Sequence, residues 1–148
     1  MSHPRRILGI DRADLESLYR GPLPNGFILK IPLGQIIDKS KFRVRDSAES
    51  DPSFKQIIPY VVFQFRSANR TFLFAYARGK SGAESRLHSQ LSLGLGGHVE
   101  ETYFSKSDIS LFGYQDALRR EISEEVESTE PLNPSISLGL INDDSNLV

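Results

Sequence analysis

Two aromatic and β-branched runs, IIPYVVFQFR at 57–66 and TFLFAYAR at 71–78, face each other across four mostly polar residues, SANR. Branched and aromatic side chains suit a pleated surface, and a short polar break suits a tight turn, so the pair predicts an antiparallel hairpin. The nearly continuous apolar character of both runs predicts central strands covered on two faces. A polar loop, GKSGAESRLHSQ, then leads into LSLGLGGHVEE. Beyond it, SKSDISLFGYQDALRREISEEVE keeps a helical apolar period through Leu111, Leu118, Ile122 and Val126. The helix is expected to start between Ser110 and Tyr114 and to end before Pro131, and SISLGLI at 135–141 reads as one more strand. Strands, a helix and a strand around a shared core make an α/β domain, a mixed β-sheet sandwiched by helices.

Upstream, RADLESLYR suggests a short polar helix closed by the turn cluster GPLPNG at 21–26. FILKIPL follows as a strand, with Pro32 placing it near an edge or a strand end. The stretch from Asp38 to Ser53 is polar and charged and reads as an exposed connection. A chain of 148 residues suffices for one domain with a real core. Its 18 basic and 19 acidic residues leave a net charge of -1, so no global field draws nucleic acid or an anionic membrane, and any phosphate contact must be local. The absence of cysteine removes disulfides, thiolate catalysis and thiolate zinc sites, and fits a reducing compartment. The start, MSHPRRILGIDRADLE, has too short an apolar run for a signal peptide, and no stretch is long enough to span a membrane. A soluble, cytoplasmic protein is expected.

The segment REISEEVE at 120–127 packs four glutamates into eight positions. At roughly 100° per helical residue, Glu121, Glu124 and Glu125 share an arc of about 100°. They lie beside the apolar sector of Leu118, Ile122 and Val126, on the seam between core and solvent. Like charges three and four residues apart cost about 0.2–0.5 kcal/mol per pair. Arg120 can pair with Glu124 and relieve part of this, whereas a hard divalent cation would relieve all of it. The plainer alternative is a solvated acidic face. Gly94, Gly96 and Gly97 come after an apolar strand and before the helix; they let backbone approach a ligand closely, or they form an ordinary tight turn. A dinucleotide fingerprint is excluded, because GLGGHV lacks the last glycine of G-x-G-x-x-G. His98-Val99-Glu100 matches the H-x-E of zinc deaminases, but the cysteines that chemistry requires are absent.

Glycines and RExxEE together resemble the box of the Nudix hydrolases, G-x5-E-x7-R-E-U-x-E-E-x-G-U with U aliphatic. Gly97 matches the opening glycine, and Arg120-Glu121-Ile122-Ser123-Glu124-Glu125 matches R-E-U-x-E-E throughout. The resemblance covers 57–142 of a single domain at 1–148, with 1–56 as an N-terminal extension. Three departures mark a divergent member. The loop from Gly97 to Arg120 is longer than the pattern's, Phe112 stands where the box glutamate belongs, and Glu127 replaces the closing glycine. Glu100 or Glu101 could substitute for the displaced glutamate.

The resemblance implies hydrolysis, with Mg²⁺ or Mn²⁺, of a pyrophosphate bond in a nucleoside diphosphate linked to another moiety. It implies Glu124 and Glu125 as principal metal ligands, completed by the Gly96 carbonyl. Glu121 would bind a further metal or position the attacking water, and Arg120 would orient the carboxylates. Arg78, Lys80, Arg86 and His88, with the Gly97 backbone, could meet substrate phosphates or be ordinary loop charges. Tyr103, Phe104, Phe112 and Tyr114 could stack on a base or pack the loop. The chain stops at GLINDDSNLV, where the family continues with further strands and a second helix. A missing C-terminal part, or a partner that supplies it in a homodimer, is therefore expected. The alternative function is a catalytically weak or inactive nucleotide-binding or regulatory module.

Overall fold

The computed structural model describes residues 4–29, 31–77, 91–104, 109–127 and 135–144. They fall into two compact units, one of residues 1–58 with 98–148 and the other of 59–97. The stretch 1–56, expected as an extension, shares the first unit with the helix of the acidic motif.

The first unit is built on β1 (Arg6–Asp11), a strand the sequence pattern did not single out. Ile7, Leu8 and Ile10 are almost wholly buried, so neither face shows the alternation by which half-exposed strands are recognised. β1 lies between β3 (Lys41–Val44) and β4 (Phe54–Gln56), antiparallel to both, with Leu8 opposite Phe42 and Gly9 opposite Gln56.

Helix α1 (Arg12–Tyr19) is the expected polar helix, ended by Arg20 in the left-handed conformation, and β2 (Gly26–Ile28) follows the turn cluster. Two expectations need correction. The strand over FILKIPL is only β2; Pro32 caps the short helix α2 (Leu33–Asp38), whose Ile36 and Ile37 point into the core. The stretch 38–53 is not a loose connection, because it forms β3 and the helix α3 (Arg45–Ser50), each anchored by one buried apolar side chain, Phe42 and Ala48. Its charges are matched across the chain, Arg43 reaching Asp11 at 2.9 Å and Asp51 at 2.7 Å while lying over the Phe54 ring.

Helix α4 (Leu111–Glu125) starts within the expected window. Ser110 caps it, its Oγ accepting from Gly113 N at 3.0 Å. Tyr114 and Ala117 are buried with Leu8, Ile37, Phe42, Val99 and Phe104, while Leu118, Ile122 and Val126 are only half-buried. Phe42 and Phe104 meet edge to face at 5.1 Å, so Phe104 and Tyr114 pack the loop against the core. The side chains of Tyr103 and Phe112 lie outside the described residues. Burial also pushes the Tyr114 phenol above its ordinary value.

The final strand, β11 (Leu140–Asn142), is shorter than the expected 135–141 and pairs antiparallel with β2. Asp144 fastens it, contacting Arg12 and Lys55 and accepting from Asn142 Nδ2 at 3.0 Å. These bonds, Lys55 first, hold its carboxyl down to about 2 from an ordinary 3.8. Asp144 therefore stabilises the fold fully above the ordinary value and loses that effect as pH falls from about 4 to about 2. The Asp144→Asn variant is expected to melt below wild type at pH 7 and to match it near pH 2, as followed by circular dichroism.

In the second unit, β6 (Gln64–Ser67) and β7 (Arg70–Leu73) form the expected hairpin, with Phe65 opposite Phe72 and Ala68 at positive φ in the turn. β5 (Tyr60–Val62) pairs with β10 (Gly94–Gly96), and β8 (Tyr76–Ala77) with β9 (Leu91–Ser92). The expectation of strands covered on two faces fails. Phe65, Phe72 and Phe74 are each about half exposed or more; Phe65 meets Phe72, and Phe74 meets Phe63 and Tyr76. Among the described strands all pairing is antiparallel.

Candidate functional site

The acidic motif occupies the C-terminal end of α4. Glu121 continues the inward face one turn beyond Ala117 and is half-buried, whereas Glu124 and Glu125 are exposed. The expectation that all three lie on a core–solvent seam thus holds for Glu121 alone. The helix has no acidic residue in its first turn and no basic residue in its last. Glu124 and Glu125 therefore sit at the negative end of the helix dipole, where a carboxylate costs about 0.3–1 kcal/mol instead of contributing it. Arg120 is exposed, and its carbonyl accepts from Ser123 Oγ at 2.7 Å.

Three carboxylates on consecutive turns are hard oxygen donors of the type that Mg²⁺ and Mn²⁺ take, usually with waters and phosphate oxygens completing the shell. Among the described residues, however, no group of three or more His, Asp or Glu side chains converges as a metal cage would. The donor chemistry fits a divalent ion, and the helix would supply part of its shell.

The glycines belong to the other unit. Gly94 answers to packing, since a Cβ there would stand 2.6 Å from the Val61 carbonyl and 2.8 Å from the Tyr60 ring. Gly96 is exposed and pairs with Tyr60, and Gly97 is half-buried. Arg78, Lys80, Arg86 and His88 lie outside the described residues.

The residues after the bend belong to the first unit and are heavily tied. Glu100 accepts from Arg5 Nε at 3.0 Å, and Glu101 pairs with Arg6 at 3.2 Å. The two glutamates considered as substitutes for Phe112 are thus engaged by arginines at the start of the chain. His98, noted in the sequence only for an excluded zinc motif, has Nε2 2.8 Å from Gln56 Oε1 and 3.9 Å from Glu49. Burial first, then the Arg45 charge, lowers its affinity for a proton. The available signal was its place directly after two glycines; its partner, 42 residues away, was invisible to any local pattern.

No family model matches the chain. Protein YmaB of Bacillus subtilis (strain 168) is 43% identical over 105 residues, which is 70% of this chain and 48% of YmaB. The chain thus spans about half the length of that relative. The crystal structure of Tm1382, described as a putative Nudix hydrolase, superposes with a TM-score of 0.67 at 27% identity, over 95% of this chain and 67% of that one. At 95% of this chain, that likeness reaches well beyond the 57–142 that the motif suggested. The chain thus has a Nudix-like α/β fold, and its α4 carries the R-E-U-x-E-E motif.

Proposed function

We propose that the chain carries a metal-dependent hydrolase that cleaves a pyrophosphate bond in a nucleoside diphosphate linked to another moiety. One observation carries this reading: α4 ends in Glu121, Glu124 and Glu125 with no basic residue in its last turn, against both charge repulsion and the helix dipole. A protein violates its own local rules at such a cost mainly where function requires it. Glu124 and Glu125 would hold Mg²⁺ or Mn²⁺. Glu121, half-buried and so more restricted, is suited to positioning the attacking water, and Arg120 to orienting its neighbours. The ion, when bound, supplies neutralisation of the diphosphate and a more acidic bound water.

The substrate is a nucleotide-like small molecule, with Arg78, Arg86, His88 and the Gly97 backbone as its candidate contacts. No nucleic acid or membrane takes part, a reading supported by the balanced charge. No described helix is long and apolar enough to cross a membrane. The cysteine-free composition supports a cytoplasmic setting. The aromatic face of the β6–β7 hairpin supports a homodimer, which light scattering of a concentration-independent monomer would dismiss.

Phosphate release from a panel of nucleoside diphosphate derivatives, with and without Mg²⁺, tests the activity. Release that needs the metal is expected, and none from any member would defeat the reading. A non-cleaving nucleotide-binding module is the second reading. It is favoured by Arg5 and Arg6 engaging Glu100 and Glu101, which leaves Phe112 without a substitute carboxylate. Metal-dependent nucleotide binding without release would select it.

A further inference from the structure

The β6–β7 hairpin shows all of its strand residues to solvent, on both faces. Its register sorts them. Phe65 stands opposite Phe72 and Ser67 opposite Arg70. Phe74 N donates to the Phe63 carbonyl at 3.0 Å, which makes Phe63 and Phe74 the next pair. Opposite residues project to the same side of a sheet, and successive pairs to alternate sides. One face therefore carries, in order towards the turn, Phe63 with Phe74, Phe65 with Phe72, and Ser67 with Arg70. The other carries Gln64 with Leu73 and Arg66 with Thr71, so Leu73 is its one apolar member.

Phe63 meets Phe74 edge to face at 6.3 Å, Phe65 meets Phe72 at 6.3 Å, and Tyr76 stacks on Phe74 at 6.0 Å. These contacts still leave Phe65 66%, Phe72 48% and Phe74 51% exposed. At about 150–250 Å² for a whole aromatic side chain, the three leave roughly 250–400 Å² uncovered. With the edges of Phe63 and Tyr76 and the Arg70 stem, two copies closing on each other would bury roughly 1,000 Å² in total. That is the lower end for a specific interface and the size of a weak, reversible one.

The cation decides how a second copy can sit. No aspartate or glutamate occurs from Pro59 to Ala77, so Arg70 has no acidic neighbour along its own hairpin. A two-fold axis running along the strands would set both Arg70 side chains in one layer, side by side. A two-fold axis running across the strands reverses the order of the pairs instead. It lays Phe65 on the partner's Phe65, Phe72 on the partner's Phe72, and Arg70 on the partner's Phe74, whose ring attracts a guanidinium. The two arginines then stand four residues apart along the strands, about 14 Å or more, beyond the screening length of about 8–10 Å. The face complements itself in that orientation.

We propose that the aromatic face of the β6–β7 hairpin is a homodimer interface, closed by a two-fold axis that crosses the strands at the Phe65–Phe72 pair. This rests on the homodimer reading above, and its test separates the interface from that reading. Sedimentation velocity from about 1 µM to about 1 mM protein follows the association, beside melting by circular dichroism. The proteins compared are wild type, Phe65→Ser, Arg70→Gln and Arg66→Gln.

Wild type is expected to pass from monomer to dimer within that range and to stop there, because a two-fold interface is closed. Phe65→Ser removes the ring that meets its own copy at the axis and should weaken the dimer at least about tenfold. Arg70→Gln should weaken it about five- to thirtyfold, since each dimer loses two cation–ring contacts. Arg66→Gln makes the same charge change on the opposite face and should match wild type.

A dimer whose affinity is untouched by Phe65→Ser and Arg70→Gln overturns the interface and leaves the homodimer reading standing. Tighter association in Arg70→Gln overturns it too, as the result of relieving Arg70 from its own copy. Equal weakening by Arg70→Gln and Arg66→Gln reduces the effect to net charge and overturns it, as does a mass that grows past the dimer. If Phe65→Ser fails to fold, Arg70→Gln decides alone. A monomer at every concentration leaves the face to another occupant and overturns both the interface and the homodimer.

Discussion

Glu124→Gln is expected to lower kcat at least about 100-fold, some 2.7 kcal/mol of barrier, while leaving the protein as stable as wild type or more so. The two halves of this expectation have separate causes. The carboxylate is proposed to hold the metal, and an amide is a poor replacement for a charged hard donor. In the metal-free fold the same carboxylate is exposed, three residues after Glu121, beside Glu125, and in the last turn of α4. Neutralising it removes a repulsive pair worth about 0.2–0.5 kcal/mol and a dipole cost of about 0.3–1 kcal/mol. In a domain this size the melting temperature should rise by roughly 1–6 °C.

Added Mg²⁺ gives a further readout. An ion bound only by the folded state stabilises it, by about 2.7 kcal/mol at a hundredfold excess over its dissociation constant. Wild type should therefore gain melting temperature with Mg²⁺, and Glu124→Gln should gain little. Metal-dependent hydrolysis at an unchanged rate in Glu124→Gln would show that this helix end is not the site. Activity and stability lost together would point instead to an ordinary structural carboxylate.

The parts legible in the sequence share one property: their determinants are local. Helix α4 announced itself by its apolar period, and the β6–β7 hairpin by two runs on either side of SANR, which the structure tightens to a two-residue turn at Ala68 and Asn69. The acidic motif was equally local, and the fold agrees with the family it resembled. β1 was missed because its apolar residues are buried without alternation. β3 and α3 were missed because each brings one apolar anchor, and their charges find partners at long range. Asp11, for example, meets Lys41 and Arg43. The contacts that fasten the glycine bend share that character. Gln56 and Leu8 reach His98 and Val99 across more than forty residues, so the bend was readable and its supports were not.

The packing around β1 makes the sharpest stability prediction. Gly9→Ala is expected to destabilise the fold by about 1–3 kcal/mol or more, the usual cost of overfilling a packed site. A Cβ at Gly9 would stand 2.4 Å from the Phe54 ring and 2.7 Å from the Lys55 carbonyl. The ring could rotate only by leaving Ile7, Ala48 and the Arg43 guanidinium, with which it packs. The carbonyl belongs to β4, paired to β1 at that register, so it can move only by opening the ladder. At roughly 2–4 °C per kcal/mol the melting temperature should fall by about 2–12 °C. Gly34→Ala is the contrast. Its nearest neighbour would be Leu111 at 3.9 Å, an ordinary contact, and it lies within α2, where alanine is favoured over glycine by up to about 1 kcal/mol. That variant should melt at or slightly above wild type. If both variants melt alike, β1 does not pack against β4 as described.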